Sequence, residues 1–151
     1  MAKRTAPPSE LLTALRRARD FADREFAQPL TLDQMARAAH LSKFHFARAF
    51  AGAYGETPRA YLTRRRIERA KDLLRAANLT VTEICLLVGF ESLGSFSARF
   101  RELVGVSPTV YRESVVANGG PPPIPGCFVL MWTRPGPELS NREEANGAKP
   151  E

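Results

Sequence analysis

A chain of 151 residues, 44% hydrophobic and with a formal charge of +6, has room for one modest domain or two small ones built on a real core. It contains no run near the roughly 18 apolar residues of a membrane span, and its polar start, Met1 to Pro8, lacks an apolar signal core, so the expected compartment is the cytoplasm. Two cysteines and two histidines without a CxxC spacing are too few for a metal cluster, and the basic balance points to a polyanionic partner.

The charge is uneven. Residues 1–8 carry a net +2, residues 9–114 a net +5 and residues 115–151 a net −1. The excess therefore lies on the part whose patterning predicts folded structure.

Ser9 is expected to cap a first helix, with Leu11, Leu12, Leu15, Ala18, Ala22 and Phe26 at the three-four spacing of one buried face. Gln28-Pro29 stops it. Thr31 with Gln34 three residues on predicts a capping box, followed by the apolar face Leu32, Met35 and Ala36. Leu41-Ser42 reads as a short turn. Ser42 then caps a helix burying Phe46, Ala49, Phe50 and Ala53, and Gly55 ends it where a left-handed residue is wanted.

Thr57 caps the next helix, with Pro58 at its first position, where a missing N–H costs nothing. This helix runs through Tyr61, Leu62, Ile67, Ala70, Leu73 and Leu74 to about Ala77, roughly 28 Å long at 1.5 Å per residue. Its Arg64, Arg65, Arg66 and Arg69 are expected on a solvated face, one or two of them near phosphate.

The pattern then returns. Thr80 and Glu83 form a second capping box, Ile84, Leu87 and Val88 an apolar face, and Gly89-Phe90 a turn. Cys85 lies among apolar residues and reads as buried packing. Ser92 caps a helix with Phe96, Phe100 and Leu103, Gly105 ends it, and Ser107-Pro108 opens a short helix with Tyr111.

Phe46, Phe50, Gly55, Pro58 and Tyr61 recur fifty positions later as Phe96, Phe100, Gly105, Pro108 and Tyr111. Upstream the offset is forty-nine: Thr31, Leu32 and Leu41 correspond to Thr80, Val81 and Phe90. The second copy thus has one extra residue between its first and second helices. Short helix, short turn and longer helix is the helix-turn-helix layout. Beyond Val115, Asn118 to Pro123 cannot hold a helix. The run Cys127 to Trp132 is apolar enough to pair as a short strand or to dock, and the composition from Thr133 onward favours disorder.

Gly89-Phe90-Glu91-Ser92, Phe96-Ser97, Phe100, Gly105-Val106-Ser107-Pro108 and Tyr111-Arg112, together with Leu41-Ser42, Phe46, Arg48 and Phe50, resemble the signature of the AraC/XylS family of bacterial transcription regulators. The resemblance covers about residues 9–114. It implies an all-α, seven-helix, double helix-turn-helix domain that binds DNA and regulates transcription, as an activator in the expected case. The subdomains would fall at about 9–57 and 78–114, joined by a linker helix at about 58–77. Residues 1–8 would be a disordered start and 115–151 a Pro/Gly-rich tail. Only about eight residues precede the first helix, so the chain resembles the short members of the family, which lack a ligand-binding domain and bind as monomers without a cofactor.

In each copy the second helix is expected to enter the major groove. The outward face of the first holds Lys43, Phe44, Ala47, Arg48 and Ala51. Arg48 reaches guanine bidentately, Phe44 suits a thymine methyl and Lys43 a phosphate; the alternatives are local packing for Phe44 and a phosphate contact alone for Arg48. The second outward face holds Leu93, Gly94, Ser97, Ala98 and Arg101, with Arg99 nearer a phosphate. Family members often carry an arginine where this chain has Ala98, which cannot hydrogen-bond a base. The competing reading is a basic helical module for an acidic protein partner such as a transcription-machinery subunit, and RNA polymerase would fit either reading. No Ser-His-Asp set, carboxylate pair or phosphate loop points to an enzyme.

Overall fold

The computed structural model describes residues 8–120 and 124–125. Among these described residues seven α-helices run in chain order: α1 (Ser9–Glu25), α2 (Leu32–Ala38), α3 (Lys43–Tyr54), α4 (Pro58–Ala76), α5 (Val81–Leu87), α6 (Leu93–Val104) and α7 (Pro108–Ala117). A two-residue strand after α4, β1 (Ala77–Asn78), pairs in parallel with β2 (Ile124–Pro125), Ala77 opposite Ile124.

The helix starts follow from side-chain chemistry. The Thr31 hydroxyl accepts from the Gln34 N–H at 3.2 Å while the Gln34 side chain accepts from the Thr31 N–H at 2.8 Å. Thr80 and Glu83 repeat the box at 3.1 and 2.7 Å. Ser42, Thr57, Ser92 and Ser107 each accept from the N–H three residues on, satisfying one donor that the helix itself leaves unpaired. Gly55 and Gly105 close α3 and α6 with φ of +76° and +96°. Ser9 behaves differently from expectation. It is the first residue of α1, and Pro8 occupies the cap position with no side-chain bond. Pro8 takes φ −52° and ψ 145°, the extended backbone a cap requires, so the helix starts one residue early.

Two apolar clusters hold the described residues together. The first joins Leu15, Ala18 and Ala22 of α1, Met35 and Ala36 of α2, Phe46 and Phe50 of α3, and Tyr61 of α4. The second joins Ile67, Ala70, Leu73 and Leu74 of α4 with Ile84, Cys85, Val88, Phe96 and Phe100. Ile67, Ala70 and Leu74 repeat the spacing of Leu15, Ala18 and Ala22. The later part of α4 thus does for the second unit what α1 does for the first. The ring ladders match as well: Phe46–Phe50–Tyr61 at 5.5 and 5.6 Å, Phe96–Phe100–Tyr111 at 5.8 and 5.6 Å. Leu103, expected on the buried face, is 51% exposed, because Val104 takes the place one turn beyond Phe100. Helix α7 also continues two residues past Val115. The tail's described pairing lies at Ile124–Pro125; the run Cys127 to Trp132 falls outside the described residues.

The extra residue of the second copy lies in its turn. Four residues separate α2 from α3 and five separate α5 from α6. Each turn needs one left-handed residue: His40 at φ +56° and Gly89 at φ +94°. The N–H of the following residue then reaches back to a carbonyl, Leu41 to Ala36 and Phe90 to Cys85, both at 3.0 Å.

Candidate nucleic-acid interface

Burial of Phe46 and Phe50, both fully enclosed, fixes the rotation of α3 about its axis. Lys43, Phe44 and Arg48 are consequently exposed, Phe44 to 77%, while Ala47 and Ala51 form a half-buried shoulder. Phe96 and Phe100 orient α6 in the same way. Leu93, Gly94, Ala98, Arg99 and Arg101 are exposed and Ser97 is half-buried. Among the described residues, Lys43, Arg48 and Arg101 make no side-chain hydrogen bond or ion pair; Arg99 pairs with Glu102 one turn on. An outward arginine without an internal partner keeps all five donors for a ligand.

Superposing the two copies by their offsets exposes an asymmetry larger than the loss of one arginine. Three exposed cations of the first unit, Arg37, Lys43 and Arg48, become Leu86, Leu93 and Ala98 in the second. Leu86 is 61% and Leu93 43% exposed. In return Ala51 becomes Arg101. The two helices thus have one shape and different chemistry: the first face is cationic with one aromatic, the second mostly apolar.

Of the α4 arginines expected on a solvated face, Arg69 is exposed, but Arg64, Arg65 and Arg66 are held by internal partners. Arg64 pairs with Glu56 and Glu68, both at 2.7 Å, and Arg65 with Asp23 at 2.9 Å and Glu68 at 2.8 Å. Arg66 donates from Nε to the Phe26 carbonyl at 2.6 Å and from its terminal nitrogen to the Gln28 carbonyl at 2.9 Å. Arg75 pairs with Asp72. Asp23, Phe26 and Gln28 lie about forty positions upstream, beyond the reach of helical periodicity. Hydrogen bonding to Glu56 raises the Arg64 pKa above its ordinary value. Burial lowers that of Arg66, with Glu91 opposing the shift. Asp23 also accepts from the Tyr61 hydroxyl at 2.6 Å; burial and that bond push the phenol well above its usual range. On α4 the exposed cationic heads left for a phosphate are Arg59 and Arg69.

No helix among the described residues is long and apolar enough to cross a membrane. A family model described as a helix-turn-helix domain matches residues 35–114. The HTH-type transcriptional activator AarP of Providencia stuartii is 39% identical over 85 residues, 56% of this chain and 63% of that protein; the match thus spans under two thirds of that relative. The DNA-binding domain of AdpA, solved with a target DNA, superposes with a TM-score of 0.68 at 26% identity, covering 70% of this chain and 96% of that one. A transcriptional regulator with an AraC-type DNA-binding domain from Chromobacterium violaceum superposes at 0.66 and 26% identity, covering 72% and 96%. The matched model, the seven-helix fold and the doubled turn agree: this chain belongs to the AraC-type helix-turn-helix family, the DNA-binding domains of transcription regulators.

Proposed function

We propose that this chain is a sequence-specific duplex-DNA-binding transcription regulator acting as a monomer in the cytoplasm, laying α3 and α6 into adjacent segments of one major-groove face. The observation that carries this reading is the pair of capped helices turned by buried phenylalanines so that unpartnered side chains face outward. Arg48 reads guanine O6 and N7, Phe44 packs on a thymine methyl and Lys43 holds a phosphate beside the start of α3. Ala47 allows close approach. Unit two, with Leu93, Gly94 and Ser97 outward, reads by apolar contact and DNA shape, while Arg99 and Arg101 reach phosphates. The folded domain falls at about residues 9–114, with α4 as the linker. An acidic surface of RNA polymerase is a compatible second partner.

The roughly 28 Å of α4 is somewhat shorter than the ~34 Å between successive major-groove segments. The DNA therefore bends toward the protein, at a cost on the order of 1–6 kcal/mol, or unit two seats mainly through phosphates. Selection of bound sites from random duplex DNA tests the function. One strict segment of a few base pairs beside a looser one is expected. No enrichment of any sequence, with binding that tracks salt alone, would refute sequence-specific recognition.

A further inference from the structure

The two units meet at a polar junction on the edge of the second apolar cluster, against which Phe90 packs. Arg66 leaves α4 half-buried and gives two hydrogen bonds to the Phe26 and Gln28 carbonyls, at 2.6 and 2.9 Å. Phe26 caps the C-terminal end of α1, where carbonyls without an intrahelical partner carry the negative end of the helix dipole; Gln28 lies two residues beyond, its carbonyl shared with the Leu30 N–H at 2.8 Å. The same guanidinium sits 5.9 Å from the ring centroid of Phe90, and Glu91 attracts it from the second unit. Gly89 completes the contact. A Cβ there would stand 2.9 Å from the Phe26 carbonyl oxygen, 3.0 Å from that of Ala27 and 3.0 Å from Arg66 Nε. The turn of the second unit is therefore pressed against the end of the first helix of the first unit, and Arg66 holds both. The equivalent turn residue of the first unit, His40, is exposed, so a helix-turn-helix does not need this contact to form.

We propose that Arg66 is a positioning residue for DNA recognition: by tying the second turn to the end of α1 it fixes the spacing and rotation between α3 and α6, so that the chain meets two groove segments as one rigid ligand. This rests on the DNA reading above. Rigidity matters most for the unit with the poorer face. Held in register, α6 is presented to its segment at a high effective concentration once α3 has bound, and its modest contacts add to affinity. A rigid pair also senses spacing, since one inserted base pair moves the second segment by about 3.4 Å and turns it by about 35°.

The test uses the full chain and three duplexes: the selected two-segment site, the same site with one base pair inserted between segments, and the first segment alone beside unrelated sequence. Wild type is expected to bind the native spacing about tenfold tighter than the other two. Arg66→Ala and Arg66→Gln should bind the single-segment duplex within about twofold of wild type yet lose most of that tenfold preference. Arg66→Lys, which keeps a charged donor for the carbonyls, should recover part of it. Full retention of the spacing preference by Arg66→Ala and Arg66→Gln overturns the proposal. So does an equal loss on all three duplexes, misfolding included, since that marks a residue needed only for folding. A wild type indifferent to the second segment overturns the reading beneath the proposal as well.

Discussion

Arg48 and His40 show how much one side chain's surroundings decide. Arg48 stands exposed on α3 without an ion pair, so its removal leaves no buried partner unsatisfied and its loss should be felt on DNA, not in the fold. Arg48→Ala is expected to lower affinity for the preferred site by roughly 1–3 kcal/mol and to relax one base position. Titration against a panel of single-base variants checks this, and an equal loss on every sequence would make Arg48 a phosphate anchor instead. His40 and Gly89 hold the same left-handed place in their turns at different cost. His40 is exposed, so only its backbone strain matters; His40→Gly should stabilise the protein by about 1 kcal/mol in chemical denaturation. Gly89→Ala meets strain and the Phe26 and Ala27 carbonyls together, and should destabilise by about 2–3 kcal/mol or more.

At the scale of elements, α4 joins two cores with its apolar face and ties down its surroundings with its charged one. Arg64 and Arg65 share Glu68 and reach Glu56 and Asp23, so one carboxylate bridges a network running from α1 to the loop before α4. Burial alone would raise the Glu68 pKa, but hydrogen bonds from Arg65 and Arg64 outweigh it and hold the carboxyl below its ordinary value. A carboxyl with a depressed folded-state pKa stabilises the fold above its unfolded-state value, and that stability is lost as pH falls through the folded-state value. Wild type should therefore exceed Glu68→Gln in stability at neutral pH, with the gap closing on acidification. Denaturation of both proteins at a series of pH values measures it, and a gap independent of pH would remove Glu68's ionisation from the account.

Across the whole molecule the defining feature is two units alike in backbone and unlike in surface chemistry. With about five phosphates contacted, the log–log salt slope is expected near −4 to −5. Restoring first-unit cations to the second unit, as Leu93→Lys with Ala98→Arg, should steepen that slope by about 2 if α6 lies on DNA. An unchanged slope would place the apolar face of α6 away from the duplex. Footprinting with mass measurement should find one chain covering roughly 20 base pairs, about two turns of duplex, with strict sequence demands in one half. Two chains per site, or equal demands in both halves, would contradict the monomeric, asymmetric reading.

Local sequence signals specify the helices, every N-terminal cap except that of α1, and the doubling. Capping boxes, helix-ending glycines and phenylalanine spacing act within a few residues, and that range is what a sequence displays. The sequence also determined which side of α3 and α6 faces outward, because two buried rings per helix leave one rotation. Local signals failed where a partner came from far along the chain. Arg65 and Arg66 read as solvated because Asp23, Phe26 and Gln28 lie some forty positions away. Ser9 was displaced as a cap by the backbone of its own neighbour. Gly89 was legible as a turn glycine, but its second reason, the carbonyls packed against it, arose only when the units docked. Tertiary structure alone decided that two repeats would be held as one body: a fixed angle between them depends on hydrogen bonds and steric fit across elements, and neither leaves a periodic trace.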